Sequence, residues 1–152
     1  MRGCKRVSDS RAEQVQVLTQ AALNGYGRLF GGQLMQWIDV VGAVVARRHS
    51  GCNVTTACVD RLVFDGAAYA NDALVLKGYI THVGTTSMEV CVKTYLESLS
   101  GERRLINTAY LVMVALDEAE KPVPVPGLIL ETPEEQAEWE AGAARRAARN
   151  KS

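Results

Sequence analysis

Apolar and polar positions alternate weakly over residues 11–20, where Val15 and Val17 interleave with Gln14 and Gln16, the period of a half-buried strand. A glycine-dense turn follows, Asn24-Gly25-Tyr26-Gly27-Arg28-Leu29-Phe30-Gly31-Gly32, whose glycines permit backbone conformations and close approaches that side chains forbid. From Gln33 to Arg48 the pattern becomes helical. Leu34, Met35, Trp37, Ile38, Val40, Val41, Val44 and Val45 cover nearly every face, which predicts a central helix wrapped by protein.

Beyond Gly51, β-branched and alternating segments predict four strands, over 54–63, 73–83, 87–97 and 104–116. The third sets Met88, Val90, Val92 and Leu96 against Glu89, Lys93 and Glu97, as in a sheet covered on one face. Asn71-Asp72, Gly84 and Ser100-Gly101 supply turns short enough for antiparallel neighbours. Pro122, Pro124 and Pro126 cannot donate ladder hydrogen bonds and predict an extended exit from the sheet. Thr132-Pro133-Glu134-Glu135 then reads as a capping box opening a last helix that ends in Arg145, Arg146, Arg149 and Lys151. The expected architecture is an α+β fold, an antiparallel sheet curled around one central helix plus a C-terminal helix. It occupies a single domain over 1–152, with its core at about 12–132 and the last helix at about 133–149.

Composition narrows the class. The 152 residues suit one domain, and 17 basic against 17 acidic side chains give no bulk charge for nucleic acid or an anionic membrane, so an anionic ligand must be held by local charges. The longest apolar stretch, Val40 to Ala46, is far below the roughly 20 residues of a membrane span, and no apolar segment follows the basic start. Cys4, Cys52, Cys58 and Cys91 lie at irregular spacings without a C-x-x-C pair, which suits reduced thiols and a cytoplasmic protein.

The one charge within the helical apolar pattern is Asp39. A buried carboxylate is costly unless paired or put to work, and spacing alone leaves open whether Asp39 is catalytic or lies on an exposed strip. Gly31 and Gly32 stand where the helix begins. Free N–H groups there form a ready site for an oxyanion, although a Gly-Gly pair also serves close helix-sheet packing. No phosphate-loop, dinucleotide or serine-hydrolase motif is present. His49 and His82 lack metal-like spacing and are read as structural or surface residues, the cysteines as spectators, and the terminal arginines as a dipole-matched, solvated helix end that can also reach a phosphate.

Several linked motifs carry a resemblance: Asn24-x-x-Gly27-x-x-Phe30-Gly31-Gly32-x-x-Met35-x-Trp37-Ile38-Asp39, Arg48-His49, Thr55-Thr56-Ala57, Asp60 and Phe64. They continue with Val83-Gly84-x-Thr86-Ser87-Met88-Glu89-Val90, Val114-Ala115-Leu116-Asp117 and Lys121-Pro122-x-Pro124-Val125-Pro126. Over roughly residues 12–149 the chain resembles the acyl-CoA thioesterase family, in the branch of bacterial short-chain enzymes and the mammalian cytosolic (brain) acyl-CoA hydrolase. The resemblance implies a hotdog fold, a homodimer at minimum with trimer-of-dimers assembly, and active sites between protomers. It implies hydrolysis of fatty acyl-CoA, with Asp39 as general base or nucleophile, Asn24 supplied by the partner protomer, and an oxyanion site at Gly31 and Gly32. The turn Gly84, Thr85, Thr86, Ser87 and Met88 would lie along CoA. No metal or other cofactor is implied, CoA being part of the substrate, and no nucleic-acid or membrane partner. The chain departs from the family pattern at Thr85, usually arginine, and at Ala22, Ala67 and Asn71, usually acidic, proline and glycine. Thr85 and Ala22 motivate the alternative of a non-catalytic acyl-CoA or nucleotide sensor on the same fold, against which the intact Asn24 and Asp39 count. A hotdog dehydratase would need a catalytic histidine on or near this helix.

Overall fold

The computed structural model of the protein describes residues 3–150. Its elements are β1 (Cys4–Arg6), β2 (Ala12–Val17), α1 (Gly31–Ser50), β3 (Asn53–Phe64), β4 (Ala73–Val83), β5 (Ser87–Glu97), β6 (Arg103–Leu116), β7 (Gly127–Ile129) and α2 (Pro133–Asn150). The helix and the four strands after it have the predicted bounds to within two residues, because the turn residues between them end each apolar pattern sharply. The main sheet runs β2-β4-β5-β6-β3, with every neighbouring pair antiparallel. Since β2 and β3 are its opposite edges, α1 must cross the whole sheet between them, and it packs on all five strands.

Leu34, Ile38, Val41 and Val45 of α1 are buried against Leu74, Leu76 and Ile80 of β4, Val90 and Val92 of β5, and Leu111 and Met113 of β6. Each such side chain contributes about 1.5–3 kcal/mol. The helix sits so low that a Cβ on Gly78 of β4 would lie 2.7 Å from Val41 Cγ1, so only glycine fits there.

Two expectations about faces change. α1 is covered on its sheet side only: Gln36, Val40 and Arg47 are exposed, Val40 by 50%. In β2 the valines point away from α1, with Val15 57% and Val17 55% exposed. Alternation carries the period but not the phase, and pairing with β4 sets the phase. Gln16 stands opposite the core residue Leu74 and Val15 opposite Val75, and directly opposed residues share a face. The strands β1 and β7, three residues each and paired in parallel, are too short to leave a periodic signature. Between β1 and β2, Val7 is 2% exposed, so the packed body begins before residue 12.

The proline segment does not leave the sheet at once. Pro122 bridges Leu116, and Val123 N–H donates to the Ala115 carbonyl of β6 at 2.9 Å, because the non-proline residues between the prolines keep their donors. The chain then leads through β7 to α2. Thr132 Oγ1 accepts the Glu135 N–H at 3.1 Å, while the Glu135 carboxylate returns to the Glu131 N–H at 2.8 Å rather than to Thr132. α2 lies on the outer face of β4, so the sheet is covered on both faces there. Met88 through Val92 of β5 are therefore all buried, Glu89 included at 3% exposure.

Both histidines are buried and structural. His49 Nε2 lies 2.8 Å from the Pro126 carbonyl and donates to it in the neutral form, and the His82 ring stacks on Trp139 at 4.2 Å. Burial lowers the pKa of each from 6.5. Below pH 6.5 the unfolded chain thus binds protons that the fold refuses, and stability falls as pH falls. Urea midpoints should drop between pH 7 and pH 5.5, with a shallower slope in His49→Gln. Equal slopes would remove His49 from the linkage.

Candidate active site

The loop before α1 is closed by its own backbone. Asn24 N–H donates to the Arg28 carbonyl at 2.7 Å and Gly27 N–H to the Asn24 carbonyl at 3.0 Å. The Asn24 Oδ1 accepts the N–H groups of Tyr26 at 2.9 Å and Arg28 at 3.3 Å. This Asx turn holds the carboxamide by its oxygen and leaves the Nδ2 hydrogens without an acceptor among the described residues. Phe30 then enters α1 with an extended backbone and no side-chain cap. The first hydrogen bonds into the helix come from Gln33 and Leu34 to the Phe30 carbonyl. The N–H groups of Gly31 and Gly32 therefore have no intrahelical acceptor, as helix geometry requires.

Neither glycine is needed for helix-sheet packing. A Cβ on Gly31 meets nothing within 4 Å, and one on Gly32 strikes the Phe30 ring at 2.7 Å. Gly31 and Asn24 share a cleft of about 150 Å³ with Arg28, Leu34 and Phe64.

Asp39 is half-buried and accepts a 2.6 Å hydrogen bond from Thr56 Oγ1 of β3. The same Thr56 hydroxyl lies 3.3 Å from Met113 Sδ. In the sequence Thr56 is one position of a strand pattern, and strand pairing alone shows no link to a helix residue 17 positions earlier. Asp39 is about 12 Å along α1 from Gly31 at 1.5 Å rise per residue. It faces the free edge of the sheet, where Val40 and Val59 are exposed. One protomer thus carries Asn24, Gly31 and Gly32 at the end of the sheet where β3 stops, and Asp39 with Thr56 nearer the end where β3 starts.

At that second end a larger cleft of about 810 Å³ is bounded by Val44, Arg47, Arg48, Cys52, Asn53 and Leu116, among others. The turn joining β4 to β5 is attached to β6 by the Ala115 N–H on the Thr86 carbonyl at 3.1 Å. Gly84 N–H closes the turn on the Ser87 carbonyl at 2.9 Å, and the Thr85 carbonyl accepts Val125 N–H at 2.8 Å. Thr85 is exposed and Thr86 and Ser87 are half-buried, but Met88 is 1% exposed with its side chain in the core, so no ligand reaches it.

Of the terminal basic residues, Arg145 and Arg149 are not solvated, Arg146 is exposed, and Lys151 lies outside the described residues. Arg145 grips Glu89 through Nε at 2.9 Å and Nη2 at 2.7 Å, its guanidinium 3.8 Å from the Tyr110 ring, and Arg149 pairs with Asp60 at 2.8 Å. Burial alone would raise the Glu89 pKa, but the hydrogen bonds from Arg145 and Thr81 and the nearby arginine charges outweigh it and hold the carboxylate below 4.5. Burial pushes the Cys91 thiol up to about 11, so it is protonated at neutral pH, and all four cysteines are free. Among the described residues no group of three or more His, Cys, Asp or Glu is placed to hold a metal, and no helix is long and apolar enough to cross a membrane.

A five-stranded antiparallel sheet curled over one helix, with candidate groups at the helix start and on its open side, defines a hotdog-fold protein. The chain belongs to the thioesterase superfamily, whose sequence pattern matches residues 26–100. It is 45% identical over 113 residues to an uncharacterised acyl-CoA thioester hydrolase of Bacillus subtilis, covering 74% of this chain and 66% of that one. It superposes on an apo-hexameric acyl-CoA thioesterase with a TM-score of 0.94 at 39% identity, covering 98% of this chain and 96% of the other. An acyl-CoA hydrolase from Staphylococcus aureus, in an asparagine-to-alanine variant bound to coenzyme A, matches with a TM-score of 0.94 at 30% identity over 99% of this chain and 90% of the other. The same enzyme has been solved with butyryl coenzyme A, and as aspartate-to-alanine and threonine-to-alanine variants. The chain spans 66% of the Bacillus protein and 23% of mouse acyl-coenzyme A thioesterase 11, less than two thirds of each.

Proposed function

We propose that this protein hydrolyses fatty acyl-CoA thioesters to a free acid and CoA, at a site that two protomers build together. The observation that carries the reading is the placement of Asp39 and Thr56 at the open edge of the sheet, with Asn24 and the free N–H groups of Gly31 and Gly32 toward the opposite end of α1. A two-fold axis pairing β3 with its own copy in antiparallel fashion sets the Phe64 end of one protomer against the Asn53 end of the other. That contact covers Val40 and Val59 and brings Asn24 of one chain toward Asp39 of its partner.

The Staphylococcus aureus variants support the same three residues. Their altered asparagine, aspartate and threonine are separated by 15 and 17 positions, the intervals between Asn24, Asp39 and Thr56 here. The hexameric relative favours further assembly as a trimer of dimers.

The chemistry follows from the groups. Thr56 holds Oδ1 of Asp39, which leaves Oδ2 to take a proton from a water that attacks the thioester carbonyl, or to attack that carbonyl itself. Direct attack forms an acyl anhydride that water then hydrolyses to the free acid and the original carboxylate. The carbonyl oxygen gains charge in the tetrahedral intermediate and is stabilised by the N–H groups at the start of α1 and their dipole. The Asn24 Nδ2 hydrogens position the water or the carbonyl. Collapse breaks the C–S bond, and the CoA sulfur leaves with a proton. No step requires a metal or redox cofactor.

Complementation tests the shared site. Asn24→Ala and Asp39→Ala are each expected to be nearly inactive in acyl-CoA hydrolysis. Co-assembled, they should recover about a quarter of wild-type activity, because half of randomly paired dimers carry one intact site of two. No recovery would place the pair within one protomer. Saturable binding of CoA esters without turnover by wild type would favour the sensor instead.

A further inference from the structure

Arg146 of α2 differs from its two arginine neighbours. Arg145 and Arg149 spend their charge on Glu89 and Asp60, whereas exposed Arg146 has no acidic partner among the described residues. Its guanidinium lies instead over the β4–β5 turn. A Cβ built on Gly84 would be 2.8 Å from Ser87 Oγ and 2.9 Å from Arg146 Nη1, so a guanidinium and a hydroxyl converge on one point above a glycine that leaves room for both. The α2 clamp fixes this position: Arg145 one residue earlier is held bidentately, and Gly142 one turn earlier lets the helix approach so closely that a Cβ there would lie 2.8 Å from His82 Cβ. The turn is tied to β6 by the Ala115 N–H on the Thr86 carbonyl, one residue before Leu116 at the edge of the 810 Å³ cleft.

The geometry points to Arg146, with the Ser87 hydroxyl, as a phosphate clip for the CoA moiety. This rests on the acyl-CoA reading above and extends it to a helix outside the candidate catalytic residues. CoA carries a diphosphate and a 3′-phosphate, and a guanidinium without an acidic partner is matched to such oxygens in charge and in its planar array of donors. The chain places Thr85, a neutral residue, at the tip of this turn, so the cation arrives from α2 rather than from the turn itself.

Calorimetric titration of the intact oligomer with CoA and with phosphate-free pantetheine separates the possibilities. Arg146→Ala should weaken CoA binding roughly tenfold or more, in the range of a lost charge-assisted hydrogen bond, leave pantetheine binding unchanged, and flatten the salt dependence of CoA affinity. Arg146→Lys should restore part of the loss, which a purely structural role would not predict. Equal CoA affinity in wild type and Arg146→Ala, with matched thermal midpoints, overturns the clip. Equal losses for CoA and pantetheine overturn it too, because the effect would not be on phosphate. Wild type that binds CoA with the expected Arg146 dependence but hydrolyses no acyl-CoA refutes the enzyme reading and leaves the clip standing. Wild type that does not bind CoA refutes both.

Discussion

Asp39→Asn is expected to lower kcat for acyl-CoA hydrolysis by roughly 10²–10⁴-fold, the contribution typical of a positioned general base. The amide keeps the size of the carboxylate and can still accept from Thr56, so the fold and the cleft persist while the proton acceptor is lost. KM should change far less than kcat, because the side chain acts mainly in the transition state. Thr56→Ala retains the carboxylate and loses only its orienting donor, so its loss is smaller. The assay follows thioester absorbance directly, since free cysteines outside the core, exposed Cys4 above all, react with thiol dyes. A panel of short, medium and long acyl chains gives the preferred length. Asp39→Asn with wild-type kcat would end the mechanism.

Glu89→Gln is expected to be the most destabilising single change at the α2 interface, by about 3 kcal/mol in the range for breaking a buried pair. The Glu89 side chain is 2% exposed and takes both Arg145 donors, while Thr81 Oγ1 donates to it at 2.6 Å. Glutamine preserves the shape but leaves the Arg145 guanidinium, 20% exposed, without its counter-ion. For a chain of this length the thermal midpoint should fall by about 10 °C. The pH dependence gives a second readout. The folded carboxylate titrates below 4.5, so the pair contributes in full above that value and its contribution is lost as pH falls through the lower folded pKa. Wild type should therefore lose stability over that acid window, and Glu89→Gln should lose the part that Glu89 supplies. Superimposable melting curves at neutral pH would show that α2 is held by packing alone.

The fold was largely legible because its elements are locally consistent. α1 and the four following strands have strong periods and sharp turn residues, and a terminal helix with a capping threonine is visible in Thr132-Pro133-Glu134-Glu135. The candidate site was legible in residue types rather than in arrangement. Asp39 stands out as a charge in an apolar helix and Gly31-Gly32 as a helix start, yet no spacing rule connects Asp39 to Thr56 or Arg146 to Gly84. Both contacts join elements far apart in sequence. Glu89 misled for a related reason: its alternation marks the face away from α1, and that face is solvent only if nothing else packs there.

What the sequence determined by itself is therefore what short-range physics controls: backbone period, turn positions, helix ends and the list of groups able to do chemistry. Tertiary structure decided phase and partnership. Pairing with β4 turned the β2 valines outward, α2 buried Glu89 and neutralised Arg145 and Arg149, and the strand order left β3 and Asp39 on an open edge. The physical reason is that a side chain's period depends on its own backbone, whereas its burial and charge state depend on whichever distant segment the fold sets against it.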